Sequence, residues 1–299
     1  MTLGHYRLLT QMGAGRDGVS YRAQAGDGER LIEVHDLSSA RADPERWSRL
    51  VSRARLAARL QHPAATRVVE LSVDQHPPFV VLEWTGERSL AELIGQGKVF
   101  LESETLALVG SLAGALSEGH RLGLVHGRLT PHHVWLDKSL RPKIEFIGAE
   151  VHTDAEDDRV RAIDASCRAP ETKAGKTPDR PADVYGLGML LACLLKAADR
   201  LGATRVEDSL ASNLSALIQD LTAVDPDDRP LAAQAEARLA ALVAPTQATS
   251  EGKADDLPMT ILQWSNQGHT FMLLNQTVAL SPTQHPQMLG ADLRIGRRF

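Results

Sequence analysis

Several side chains in this 299-residue sequence are spaced as if to do polar chemistry. The run LVHGRLTPHHVWLDKSLRPKIEFIG, residues 124–148, brings His126, Arg128, Thr130, His132 and His133 close together and ends with Glu145 and Phe146. Imidazoles carry protons or ligate borderline metals, because the neutral ring offers one donor and one lone pair. Upstream, GAGRDG spaces Gly13, Gly15 and Gly18 as a glycine hairpin does when backbone N–H groups approach a phosphate, although the same glycines also suit a plain tight turn. Glu33, His132, His133 and Glu145 are candidates for moving a nucleotide or a phosphate.

These residues must be held by something. In the first hundred residues, β-rich segments occur at YRLLTQMG, VSYRAQ, RLIEVHDL, TRVVELSVD and PFVVLEW, punctuated by Gly, Asp and Pro. Between them, DPERWSRLVSRARLAARLQHP opens on Asp-Pro and repeats apolar residues at helical spacing, which predicts an amphipathic helix ended by Pro63. From SLAELIGQG onward the pattern is mostly helical. The expected fold is α+β and bilobal: a β-rich small lobe over residues 1–85 and a helical large lobe over 86–244. A polar linker over 245–260 and a β-rich tail over 261–299 follow.

Composition narrows the class. Hydrophobic residues make up 43%, charged residues 24%, and the net charge is −5, which describes an ordinary soluble globular chain. Its basic residues are dispersed, so nucleic acid is not expected as a partner. No apolar run spans a membrane and the N-terminus lacks a signal-peptide succession, so the expected location is cytoplasmic. Cys167 and Cys193 show no metal-ligand spacing and read as buried reduced thiols.

Seven landmarks occur in one order: GAGRDG, LQHP, LEW, LVHGRLTPHHVWLD, CRAPE, DVYGLGMLL and DPDDRP. Over roughly residues 5–244 the chain thereby resembles a bacterial serine/threonine protein kinase domain. The resemblance implies the kinase fold; what the site can do is a separate question. By that register, Arg128 stands where the family has its catalytic Asp, Thr130 where it has Lys, and His133 where it has the Asn of the second metal. Phe146 replaces the magnesium-binding Asp, and Glu33 the phosphate-binding Lys. A guanidinium accepts no proton, and Mg²⁺ prefers hard oxygen ligands. The helix glutamate falls at Arg53, so Glu33 and Arg53 exchange the signs of the family's pair. They are expected to pair, the alternative being Arg53 in solvent among Arg49, Arg55 and Arg59.

The resemblance also maps the nucleotide slot. Gly13, Gly15 and Gly18 line its glycine loop, Ser20 and Leu31 its roof, Leu82 and Trp84 its hinge, and Trp135 its floor. Leu31 and Trp135 are larger than the family's residues, so the slot is expected to be filled by the protein itself. His126, Glu171, Asp183 and Arg229 match architectural positions. With structural parts present and chemical parts replaced, the sequence predicts a pseudokinase. This would be no enzyme, with no cofactor and no metal, recognising another signalling protein in an undefined oligomeric state. A nucleotide switch and a divergent transferase remain as alternatives. The acidic run Asp154, Glu156, Asp157 and Asp158 reads as a solvated loop or as a dock for Arg128. The tail, through RIGRR, faintly resembles the opening strands of a forkhead-associated domain.

Overall fold

Alternating side chains in the first third of the chain build a six-stranded sheet in the order β1-β2-β3-β4-β6-β5, antiparallel throughout. Its strands are β1 (Thr2–Leu3), β2 (Tyr6–Gly15), β3 (Gly18–Gln24), β4 (Leu31–Asp36), β5 (Val68–Ser72) and β6 (Phe79–Glu83). The computed structural model describes residues 1–15, 18–26, 31–86, 88–147, 158–200, 208–243, 260–266, 269–274 and 292–297. The chain divides into two units, Met1–Pro245 and Thr246–Phe299.

Successive strand residues face opposite ways, so the sheet has two distinct faces. Ile32 and Val34 pack with Tyr6, Ala23, Phe79 and Val81 on the outer one. Val80 and Leu82 join the larger core with Leu50, Val51 and Ala54. Glu33 lies opposite Leu82 and His35 opposite Val80, which sets both polar residues on that inner face. Gly18 is required by close approach: a Cβ there would sit 1.8 Å from the Asp36 carbonyl oxygen.

Helix α1 (Pro44–Ala57) supplies the inner core. Asp43 caps it, its carboxylate accepting from the N–H groups of Glu45 and Arg46 at 3.1 Å, with Pro44 in the first turn. The helix stops at Ala57, short of Pro63, because Arg59 and Leu60 bond to Leu56 and Ala57 in tighter three-residue turns.

The large lobe opens with β7 (Arg88–Ser89) and α2 (Leu90–Gly95), the latter held by a Ser89–Glu92 capping box. Helix α3 (Glu102–Arg121) is its buried axis, flanked by α6 (Arg180–Arg200) and α8 (Ala232–Val243). Two short strands, β8 (Val134–Leu136) and β9 (Pro142–Ile144), join β7 in a small sheet. Helices α4 (Asp158–Cys167), α5 (Pro170–Lys173) and α7 (Asp208–Leu221) complete the lobe. This is the bilobal arrangement expected.

In the second unit, β10 (Thr260–Asn266) pairs antiparallel with β11 (His269–Leu274) and with β12 (Asp292–Arg297).

Candidate functional site

The loop before β8 is fixed from below. Asp183, in the first turn of α6 and 1% exposed, accepts from the N–H of His126 at 2.8 Å, the N–H of Gly127 at 2.6 Å and His120 Nε2 at 2.8 Å. Gly127 stands at φ +79°, a left-handed conformation that side chains disfavour, which accounts for a glycine at that corner. Leu129 and Thr130 are buried while Arg128 is exposed, so the guanidinium projects outward.

Around it the histidines take different roles. The Thr130 hydroxyl lies 3.0 Å from His133 Nδ1. Burial pushes His133 down to about 3, helped by the charges of His126 and Arg128. It pushes His126 down to about 4 against the pull of Asp183. His132 Nε2 instead meets the α4 carboxylate of Asp164, Oδ2 at 3.3 Å. Burial holds the Asp164 carboxyl above the usual carboxylate range, opposed by His132, Thr130 and Arg128.

The two depressed histidines make stability pH-dependent. In the unfolded chain each titrates near 6.5, while in the folded protein they stay neutral until about 4 and about 3. Protons therefore bind the unfolded state first. Their contribution to stability is complete well above pH 6.5 and is lost as pH falls toward those folded values. Between about pH 7 and about pH 5 we expect urea unfolding to weaken by on the order of 1–2 kcal/mol per histidine. His133→Asn should flatten the profile, and an equally steep profile in that variant would refute the assignment.

Phe146, expected at the family's metal position, is 2% exposed. Its ring packs against Gly119, where a Cβ would come within 2.6 Å of it, and lies edge-on to His126 at 5.7 Å. The expected Glu33–Arg53 pair is replaced by two other arrangements. Arg53 donates to the carbonyls of Phe146, of Val125 at 2.8 Å and of His126 at 3.2 Å. Glu33 Oε1 lies 3.0 Å from His35 Nε2, which also stands 3.7 Å from Glu145 Oε1. Burial alone would lower the His35 pKa, but Glu145 and Glu33 together push it up to about 9. A histidine two residues along the same strand face outcompetes a guanidinium that has three carbonyls within reach.

The slot positions are distributed as follows. Gly13 faces Ser20, and Gly15 faces Gly18, across the β2–β3 hairpin. Ser20 and Leu82 are buried, Trp84 is half-buried beneath Arg22 at 5.3 Å, and Trp135 is half-buried on β8 opposite Ser89 and Lys143. The Leu31 side chain lies outside the described residues, as do Asp154, Glu156 and Asp157 and the side chain of Asp158.

Far from the cleft, Arg229 holds Glu171 through both carboxylate oxygens, at 2.7 and 2.9 Å. Sequence reasoning missed Asp164 and His35. Asp164 lies six residues beyond the acidic run, with no local motif to single it out, and His35 occupies an alternation position indistinguishable from a core one.

Residues 6–239 match the family model described as protein kinase domain. The chain is 28% identical over 248 residues to serine/threonine-protein kinase PknK of Mycobacterium tuberculosis, covering 75% of this chain and 22% of that protein. To a probable serine/threonine-protein kinase of Streptomyces coelicolor it is 29% identical over 202 residues, 64% of this chain and 30% of that one. To pkn2 of Myxococcus xanthus it is 26% identical over 200 residues, 62% and 24% of the two chains. The chain thus spans less than a third of the length of these relatives. Their names overturn one expectation, that of a chain without enzymatic activity: each is called a serine/threonine-protein kinase, which points to an enzyme. The expectation failed because it judged chemistry only at the family's own stations.

Proposed function

Because the chain belongs to the protein kinase domain family, we propose that it is a bacterial signalling kinase domain whose proton acceptor has moved, from the catalytic loop to Asp164 on α4. The carrying observation is a raised, partly buried carboxylate beside His132, with Thr130 and Arg128 close by. A carboxylate held above its ordinary range takes up a proton more readily than an ordinary one.

In the reaction so read, the substrate hydroxyl oxygen forms a bond to the γ-phosphorus of ATP as the bond to the β-phosphate oxygen breaks. The hydroxyl proton passes to Asp164, and ADP leaves with the bonding electron pair. Arg128 neutralises charge on the transferring group. The magnesium ion that the family implies does not fit the family's stations: Phe146 is a buried ring, and the His133 Nδ1 is engaged by Thr130. No step is routed through it. Trp135 narrows the purine slot in this reading, so ATP binds weakly, with KM above about 1 mM.

The test is label transfer from γ-labelled ATP to a serine- and threonine-containing protein substrate at millimolar nucleotide. Label on hydroxyl side chains supports the proposal. Its absence at every nucleotide concentration overturns it.

A second reading has its own support. The ties that shape the large lobe, Asp183 to the loop and Arg229 to Glu171, are all formed, which preserves a kinase-shaped surface for a signalling partner. No helix among the described residues is long and apolar enough to cross a membrane.

A further inference from the structure

Glu33, His35 and Glu145 each offer one ligand atom, and these atoms all lie within 4.8 Å of one another. Two come from the inner face of β4 and the third from the turn after β9, so the cluster joins the small lobe to the large one. We propose that this cluster is a binding site for a divalent transition-metal cation, of the Mn²⁺ or Zn²⁺ class.

The spacing fits. Ligands about 2.0–2.2 Å from a metal stand about 3.0 Å apart at right angles and about 3.4 Å apart at the tetrahedral angle. The His35 Nε2 to Glu33 Oε1 distance is 3.0 Å, and His35 Nε2 to Glu145 Oε1 is 3.7 Å. The donor set fits as well: two carboxylates and one imidazole suit Mn²⁺ and Zn²⁺, whereas Mg²⁺ takes oxygen ligands and retains its waters. A doubly charged cation also neutralises two carboxylates that otherwise repel each other inside the protein.

A second observation is independent of the cluster's composition. His35 is 0% exposed, its Nδ1 has no hydrogen-bond partner, and its Nε2 faces two carboxylates at once. Ser20, directly across the strand pair from His35 and 1% exposed, also has a hydroxyl without a hydrogen-bond partner. Buried polar atoms almost always find partners, and directly opposed strand residues share a face. Two such atoms side by side mark a place where a polar ligand belongs. Glu33 therefore acquires a role that neither phosphate binding nor the α1 helix gives it.

The site does not depend on phosphoryl transfer, and its test reads the ion itself. Mn²⁺ is titrated into the purified chain and the free ion followed by its paramagnetic resonance signal. One ion bound per chain is expected, displaced by Zn²⁺ and not by an equal concentration of Mg²⁺. Glu33→Gln and Glu145→Gln, each checked by circular dichroism for a wild-type fold, should weaken binding by about a hundredfold or more, beyond what losing an outer-shell partner costs. Uptake equal to wild type in both variants would mean adventitious binding at one of the other histidines and would overturn the proposal. So would the absence of uptake up to about 1 mM, leaving a proton on His35 as the charge between the two carboxylates.

Discussion

Arg229→Ala is expected to lower the stability of the Met1–Pro245 unit by about 3–5 kcal/mol, the usual cost of stranding one member of a buried ion pair. The Arg229 side chain is 0% exposed. Its guanidinium bonds both oxygens of Glu171 and also donates to the carbonyls of Ala223 at 2.8 Å, Pro181 at 3.0 Å and Val224 at 3.2 Å. It stacks on Tyr185, 5.0 Å from the ring centre. Truncation leaves three backbone acceptors and a carboxylate without their donor. Glu171 itself sits below the usual carboxylate range, chiefly through its hydrogen bonds from Arg229, which shows how firmly the charged form is held. Glu171→Gln should cost clearly less, since an amide oxygen still accepts from the fork. Urea denaturation of the two variants checks the order, and equal losses would contradict the account.

Asp164→Asn is expected to lower kcat for label transfer by about 10²–10⁴-fold with little change in the KM for ATP, because general-base catalysis contributes that much and the role proposed for the residue is not nucleotide binding. The asparagine keeps the shape of the side chain beside His132 and Thr130. A purely structural role would therefore leave the rate intact. The acidic limb of the pH–rate profile should vanish in the variant. An unchanged kcat, or an unaltered limb, would remove Asp164 from the chemistry.

What the sequence made legible was whatever rests on local pattern. Strands β2 to β6 follow from alternation and Gly or Pro punctuation, and α1 from its Asp-Pro start and its apolar stripe. Residues such as Asp183 and Arg229 were recognisable because their motifs are short and contiguous. Three things escaped because they depend on side chains meeting across the fold. Arg53 could be assigned to Glu33 by charge alone, yet its guanidinium donates to three carbonyls of the large lobe. His35 looks like any inward-facing strand residue until Glu145 arrives beside it. Asp164 stands past the acidic run with no motif of its own, and only the packing of α4 beside the loop brings it to His132.

The reach of Arg53 has a mechanical consequence. Helix α1 is threaded between strands of the small lobe, but its guanidinium grips the backbone at Val125, His126 and Phe146, which belong to the large one. Opening the lobes like a jaw would require those bonds to let go together or the helix to travel with the lower jaw. The helix is thereby latched to the floor of the cleft, and its grip is one of the ties that any separation of the lobes has to break.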